Sequence, residues 1–352
     1  MGHKIGGRGV TGKWDDGART APVGAFWEIA CDESGSDGEN LTGGNTDVFA
    51  HAGVRLPVPT AAAAVQEIRD RIRSPAEEYK ANHLLREKHR AVLEWLLAPS
   101  GPLHGHAHVH LTEKAYFVVE RAVGLLLGDP AGALPLFREG RRTFGEEAWR
   151  EFLEATNRLL WVRWSGPDGN GSGQDPAAPV DTFFRTVDAL GRAHPGTDAA
   201  ATLGRLAAAR PRADAYRERR LDGPALVPLL NPLLPAVVAT AAYWSAGGRT
   251  VRLVHDRQNM LTPERIAWVE ETARLAGVRL AGVRLVRAGL DPRVQLADFL
   301  AGIARRVASD ELGGRGDAEL TALLRPYVDD ASVWGDEASW DRLTGDTAPA
   351  AS

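Results

Sequence analysis

Apolar residues alternate with polar ones, or form short apolar runs, in five parts of the chain, and such patterns are typical of strands. They predict strands at 24–33, 47–56, 250–255 and 283–288, and one or two strands at 106–119. Elsewhere the apolar residues recur at helical spacing. This spacing predicts helices at 60–74, 76–97, 121–128, 145–160, 180–193, 198–220, 233–244 and 262–276, and a last long helix that Asp291 and Pro292 open.

The order of these elements predicts an α/β fold. Helices and strands alternate after residue 233, so we expect the last two strands to pair in parallel. Helical patterns dominate residues 121–222, interrupted by a Gly-rich stretch at 165–178 that indicates a flexible loop. We therefore predict a flexible N-terminal arm (1–22), a core in two parts (23–120 and 223–308), a helical insertion (121–222) and an acidic C-terminal extension (309–352) that covers the core as a solvated segment.

Composition narrows the class of protein. Apolar residues make up 44% and charged residues 25% of 352 residues, which is typical of a soluble protein with a packed core. The net charge of −4 excludes a protein surface that is strongly basic overall. Cys31 is the only cysteine, so a reducing cytoplasm is the expected compartment. The longest uncharged stretch is broken by prolines, and its helical part is too short to cross a membrane, so no membrane partner is expected.

Acidic residues occupy three places where chemistry is often found. Asp32 and Glu33 end the first predicted strand, Asp256 follows the fourth, and Asp298 lies in the last long helix, on one face with Gln295 and Gly302. Ligands collect beyond the carboxyl ends of parallel strands. Carboxylates that meet there repel one another unless they hold a cation, and Mg²⁺ or Mn²⁺ prefers oxygen ligands. Two such ions would support phosphodiester hydrolysis.

Three segments, CDESG at 31–35, VHDRQN at 254–259 and QLADFLAG at 295–302, together resemble the bacterial and phage domain-of-unknown-function 3800 family. The resemblance covers about residues 24–305 and is weak between the two ends. It implies a ribonuclease H-like fold, a mixed sheet flanked by helices. It also implies metal binding by Asp32, Asp256 and Asp298, with Glu33 as an auxiliary residue. Looser similarities extend to two lysines, Lys80 in EYKANHLL and Lys114 in LTEKAYF.

Each of these residues also has a structural interpretation. Asp32 and Asp256 would cap turns, Asp298 would pair with an arginine, and Glu33 would face solvent. Gln295 would bond to backbone groups, Lys80 would be a solvated helix residue, and Ser34 would be a turn residue or an N-cap. The alternating His104, His106, His108 and His110 favour a polar sheet face or edge, although a neighbouring pair would suit zinc, nickel or copper.

These observations predict a divalent-metal-dependent nuclease with nucleic acid as its partner. Asp32, Asp256 and Asp298 would bind Mg²⁺ or Mn²⁺, and Glu33 would orient water. Lys80 and Lys114, with Ser34 and Gln295, would contact the substrate. Basic segments at 210–220 and 250–306 permit contacts to phosphates. The alternatives are a non-catalytic binding or scaffold protein of the same fold, and a metal-dependent hydrolase of a small phosphorylated or nucleotide substrate.

Overall fold

Five strands form one mixed sheet in the computed structural model, which describes residues 26–73, 80–162, 177–221, 223 and 225–345. The strands are β1 (Trp27–Ser34), β2 (Val48–Val54), β3 (Ala107–Glu113), β4 (Val251–Asp256) and β5 (Leu280–Val286). Their order across the sheet is β3-β2-β1-β4-β5. β1 pairs with β2 and β2 with β3 in antiparallel fashion, whereas β1, β4 and β5 run parallel. The predicted α/β class and the parallel pairing of the last two strands are therefore confirmed.

Helices cover both faces of the sheet. They are α1 (Val58–Ile72), α2 (Ala81–Leu84), α3 (Arg90–Leu97), α4 (Lys114–Leu127), α5 (Ala133–Phe144), α6 (Glu146–Leu160), α7 (Ala178–Ala193), α8 (Asp198–Ala207), α9 (Arg210–Leu221), α10 (Leu233–Ser245), α11 (Pro263–Leu275), α12 (Pro292–Leu312), α13 (Ala318–Leu324) and α14 (Glu337–Thr344). Alternate β2 residues divide between the two faces, as the pleat requires. Val48 and Ala50 pack with α1, α3 and α12, whereas Phe49 packs with α10.

The long helix α12 follows from its sequence. Asp291 accepts a hydrogen bond from the backbone N–H of Arg293, and Pro292 occupies the first turn, as predicted. Buried Leu296, Phe299 and other apolar residues of α12 then lie against β1 and β2. This helix therefore fixes where Asp298 meets the sheet.

Helices α4 to α9 pack around a second apolar core, separate from the residues that pack on the sheet. The structure corrects several predicted bounds here. The predicted strand at 106–119 ends at Glu113, and α4 begins directly at Lys114. Helix α5 was not predicted, and the helix expected at 198–220 is broken into α8 and α9. The predicted arm (1–22) and residues 165–176 of the predicted loop lie outside the described residues.

Two other predicted elements also differ from the structure. The helix expected at 76–97 is divided into α2, a 3-10 turn at Glu87–His89, and α3, with residues 74–79 outside the described residues. The C-terminal extension is not a solvated cover. Its Tyr327 and Leu343 are buried, and its backbone bonds to β3, where Val333 N donates to Leu111 O and Asp329 N donates to Val109 O.

No helix within the described ranges is both long enough and apolar enough to span a membrane.

Candidate active site

Asp32 and Asp256 lie at the same edge of the sheet because their strands are parallel neighbours. Cys31 pairs with His255 in the register, so Asp32 and Asp256 occupy the next position on each strand. Ala30 and Val254 precede them by two residues and pack with Val294 of α12. Since side chains alternate along a strand, Asp32 and Asp256 extend toward α12 as well. The expected meeting of the two strand ends is confirmed.

Asp298 reaches this edge from α12, and its side chain is 18% exposed. The carboxylates of Asp298, Glu33 and Asp256 all raise the pKa of Asp32. Burial is the largest cause, repulsion from Glu33 and Asp298 follows, and together they raise the pKa of Asp32 to about 9. Acids from β1, β4 and α12 therefore converge, although they are far apart in the sequence.

Glu33 joins the acids although strand alternation places it on the opposite face from Asp32. It is the penultimate residue of β1, and burial together with repulsion from Asp256 raises its pKa to about 7. Its Oε2 atom is buried and has no hydrogen-bond partner among the described residues. A buried acceptor without a donor is costly, which accords with the raised pKa of this carboxyl.

The carboxylate of Asp256 also fixes the turn that leads into α12. Its Oδ1 accepts a hydrogen bond of 2.7 Å from the backbone N–H of Ala288. The side-chain amide of Gln295 donates to the carbonyl of the same Ala288 at 3.2 Å. Gln295 thus makes the backbone contact that its structural interpretation predicts, and it lies beside Asp256.

Lys80 approaches the acids from the start of α2. Its Nζ lies 3.8 Å from Oδ1 of Asp298, and its side chain is 52% exposed. The contact depends on Gly302, because a Cβ at that position would lie 2.2 Å from the Cβ of Ala81. The glycine therefore admits α2 against α12. At this distance and exposure the pair contributes little to stability.

Ser34 holds an arginine that the sequence analysis did not single out. The Nε–H of Arg305 donates to the Oγ of Ser34 at 3.0 Å. Arg305 follows Asp298 by seven residues, which is two turns along the same face of α12. The seven-residue spacing from Asp298 is the sequence signal for a role of Arg305 at the site. It becomes informative only once α12 is known to cross the end of β1.

Lys114 is placed differently from its predicted role. It begins α4 rather than lying in a strand, and its side chain is fully buried. Its Nζ donates to Oδ2 of Asp37 at 2.6 Å and to the carbonyl of Thr46 at 3.0 Å. Because these contacts enclose the ammonium group, Lys114 is a structural residue here, and the expectation of substrate contact is corrected.

The histidine-rich segment meets the expectation of a sheet edge only for two of its four histidines. His104 and His106 precede β3 and are exposed, so only His108 and His110 share a face of that strand. Both are buried at the sheet edge rather than solvated, and the Oδ2 of Asp329 lies 3.0 Å from Nε2 of His108 and 3.3 Å from Nδ1 of His110. Burial lowers the pKa of His108, so its contact with Asp329 is not an ion pair at neutral pH.

A second buried histidine pair, which the sequence did not reveal, adjoins the acids. Nε2 of His51 lies 3.1 Å from Nε2 of His255, and Nδ1 of His51 lies 2.7 Å from the hydroxyl of Thr240. Burial is the main reason that the pKa of His51 is well below its usual value and that of His255 is about 4. Both rings are therefore neutral near pH 7 and supply no positive charge to the acids.

The donor chemistry of Asp32, Glu33, Asp256 and Asp298 suits a hard divalent cation, because all the donor atoms are carboxylate oxygens. Their present spacing does not form a ligand group: within the described part of the chain, no set of three or more His, Cys, Asp or Glu side chains is arranged to hold a metal ion. Cation binding would thus require these side chains to rearrange.

Comparisons with protein-family models, curated proteins and solved structures found no match to this chain.

Proposed function

We propose that this protein is a divalent-metal-dependent nuclease with a ribonuclease H-like core. The observation that carries the proposal is the convergence of four carboxylates from β1, β4 and α12, in which burial and mutual repulsion raise the pKa values of Asp32 and Glu33. Such a cluster is costly unless a cation compensates it, and pKa values shifted by burial together with a neighbouring charge are typical of functional sites. The acids lie on the first strand, the fourth strand and the long helix, as the family resemblance implies.

In this proposal Asp32, Asp256 and Asp298 hold Mg²⁺ or Mn²⁺. A cation bound there would lower the pKa of a coordinated water and would offset negative charge on the phosphate. Glu33, at the end of β1 beside Asp32, accepts a proton from the attacking water. Lys80, half-exposed beside Asp298, neutralises charge on the phosphate.

One observation favours catalysis over a purely structural use of the acids. No ion pair between described residues joins an arginine to Asp32, Glu33 or Asp256, so arginines do not neutralise these three acids, although Asp256 does make a turn contact with the N–H of Ala288. The cavity of about 280 Å³ beside α2 and α3 is lined by Arg86, Arg90 and other residues but by none of the four acids, so it gives no support to a small enclosed substrate.

The test is cleavage of labelled single- and double-stranded DNA and RNA in Mg²⁺, Mn²⁺ or EDTA. We expect metal-dependent cleavage that Asp298→Asn reduces at least 100-fold, since a ligand would be lost. Asp310→Asn is the matched control, because Asp310 lies on the same helix and pairs with Arg306 instead. Equal cleavage by wild type and Asp298→Asn would contradict the proposal.

Calorimetric titration with Mn²⁺ separates binding from catalysis. We expect heat from the wild type and from Asp310→Asn, and a strongly reduced heat from Asp298→Asn and Asp32→Asn. If all four proteins give the same heat, the acids are not the cation site, whatever the nuclease assay shows.

A further inference from the structure

Arg305 is held in place by two adjoining features at the end of β1. The first is the hydrogen bond from its Nε–H to Ser34 Oγ. The second is Gly35, which has a φ of +91° and lacks a side chain where one would collide: a Cβ there would lie 2.9 Å from the Cδ of Arg305 and 2.4 Å from the carbonyl of Val48. The Ser-Gly pair after the acids thus forms a seat for the stem of this arginine.

The seat leaves the outer edge of the guanidinium available. Ser34 engages only Nε, so the two terminal nitrogens keep their donors in a fixed plane. No carboxylate among the described residues lies within ion-pairing distance of Arg305. The neighbouring Arg306 differs, because its Nε lies 2.6 Å from Oδ2 of Asp310.

Arg305 itself lacks a counter-charge among the described residues, and this favours an anion. Lys114 lies close enough for Arg305 to lower its pKa, although burial is the main cause of that shift. Lys114 is paired with Asp37, whereas Arg305 has no carboxylate partner among the described residues, and a phosphate would supply its counter-charge. A planar guanidinium restrained at Nε binds phosphate through two parallel hydrogen bonds, and less entropy is lost because the side chain is already ordered.

We propose that Arg305, seated by Ser34 and Gly35, binds a backbone phosphate of the nucleic acid next to the phosphodiester that is cleaved. This inference rests on the proposed function, and it names a phosphate subsite and its residue. Arg305 lies about 10.5 Å along α12 from Asp298, from seven residues at 1.5 Å rise. The subsite therefore holds a second phosphate of a polymer, which a mononucleotide does not have.

The experiment measures binding without cleavage. Fluorescence anisotropy in EDTA gives Kd for fluorescein-labelled 20-nucleotide DNA and RNA, each single-stranded and double-stranded, at several NaCl concentrations. For Arg305→Gln we expect about a tenfold weaker Kd and a salt slope that falls by about 0.7 to 0.9, the change for one lost phosphate contact. Circular dichroism checks that each variant is folded.

Three matched variants sharpen the result. Arg306→Gln removes the adjacent, paired arginine and should leave Kd within about twofold of wild type. Arg305→Lys keeps the charge but loses the planar fork, so it should fall between wild type and Arg305→Gln. Ser34→Ala loosens the seat while keeping the charge, so it should weaken Kd and leave the salt slope unchanged. That pattern distinguishes a positioning residue from a direct contact.

The outcomes separate the two proposals. Equal salt slopes for wild type, Arg305→Gln and Arg306→Gln would overturn the subsite even if metal-dependent cleavage is found. Arg305-dependent binding without metal-dependent cleavage would overturn the nuclease and keep the phosphate subsite. No binding of any of the four probes by wild type at low salt would overturn both.

Discussion

Oε2 of Glu33 lies 3.6 Å from Nε2 of His255, yet the two residues do not form an ion pair near neutral pH. Nδ1 of His255 lies 2.9 Å from the carbonyl oxygen of Asp256, which places the ring proton on Nδ1. Nε2 then accepts from His51, 3.1 Å away, and has no proton to offer Glu33. The neutral imidazoles therefore do not offset the negative charge of the acids, and the pH dependence of stability follows from this uncompensated charge.

Without a divalent cation, we expect the free energy of unfolding to fall as pH rises from about 7, above the range where the buried histidines act, to about 9. The pKa of Asp32 is raised to about 9 from its usual value near 4, so in this range the folded protein holds a proton that the unfolded chain has lost. Asp32→Asn should remove much of this slope. At pH 8 it should be the more stable protein by at least ~1.4 kcal/mol, the equivalent of one pKa unit. Urea unfolding in EDTA from pH 7 to 9 measures this.

Asp310→Asn is the control for that experiment and should follow the wild-type curve. Addition of Mg²⁺ or Mn²⁺ at pH 8 should stabilise the wild type more than Asp32→Asn, since a cation that binds only the folded state stabilises it. A wild-type curve that is flat from pH 7 to 9 would contradict a raised pKa for Asp32.

Acid should destabilise the protein through the buried histidines. The pKa of His51 lies well below 6.5 in the folded state. The contribution of neutral His51 to the free energy of unfolding is therefore fully present above pH 6.5. It is lost as pH falls, because the unfolded chain then binds a proton that the folded protein does not. We expect His51→Gln, made in the Asp32→Asn background, to flatten the unfolding free energy between pH 6.5 and 4. His104→Gln, at an exposed position, should leave that slope unchanged.

Lys114→Met tests whether this lysine is structural. The change leaves Asp37 without its main partner, so we expect a loss of roughly 3 kcal/mol in the free energy of unfolding. Asp37→Asn added to Lys114→Met should recover part of that loss. Mn²⁺ titration should give the same heat as wild type, and a large change in that heat with stability intact would restore the predicted role of Lys114 at the site.

Gly302→Val tests the close approach of α2 to α12. A side chain there collides with Ala81, so we expect a loss of about 1–3 kcal/mol and displacement of Lys80 from Asp298. Gly204→Ala is the matched control, because Gly204 lies in α8 with open space where a Cβ would be added. That change should stabilise the protein by up to ~1 kcal/mol. Thermal unfolding compares the two, and stabilisation by both would show that α2 does not lie where the structure places it.

Local signals were sufficient for the elements that carry the acids. The apolar run before Asp256 and the Asp291–Pro292 opening of α12 predicted both elements within a residue or two. The predicted helix at 121–128 begins seven residues after the observed start of α4 at Lys114. No Gly, Pro or side-chain cap marks the change from β3 to α4. Helix α5 was missed because Gly140 disfavours a helix locally, whereas in the fold it makes room for the Trp149 ring.

Long-range relationships were beyond the sequence. Asp32 and Asp256 could be predicted to meet from strand order alone, but Glu33 joins them only because it lies near the end of its strand. Arg305 and His51 gain their places from neighbours more than 200 residues away, Ser34 and His255 respectively. Single residues of this kind leave no periodic pattern.

The pairing of the C-terminal segment with β3 has a consequence for synthesis. Val328 and Val333 bridge to Val109 and Thr112, and they supply the final hydrogen bonds along that side of the sheet. A ribosome-bound chain that has not yet reached residue 328 therefore carries a bare β edge, which is a template for self-association. The segment 328–333 thus covers a strand edge that would otherwise be open to pairing with another chain.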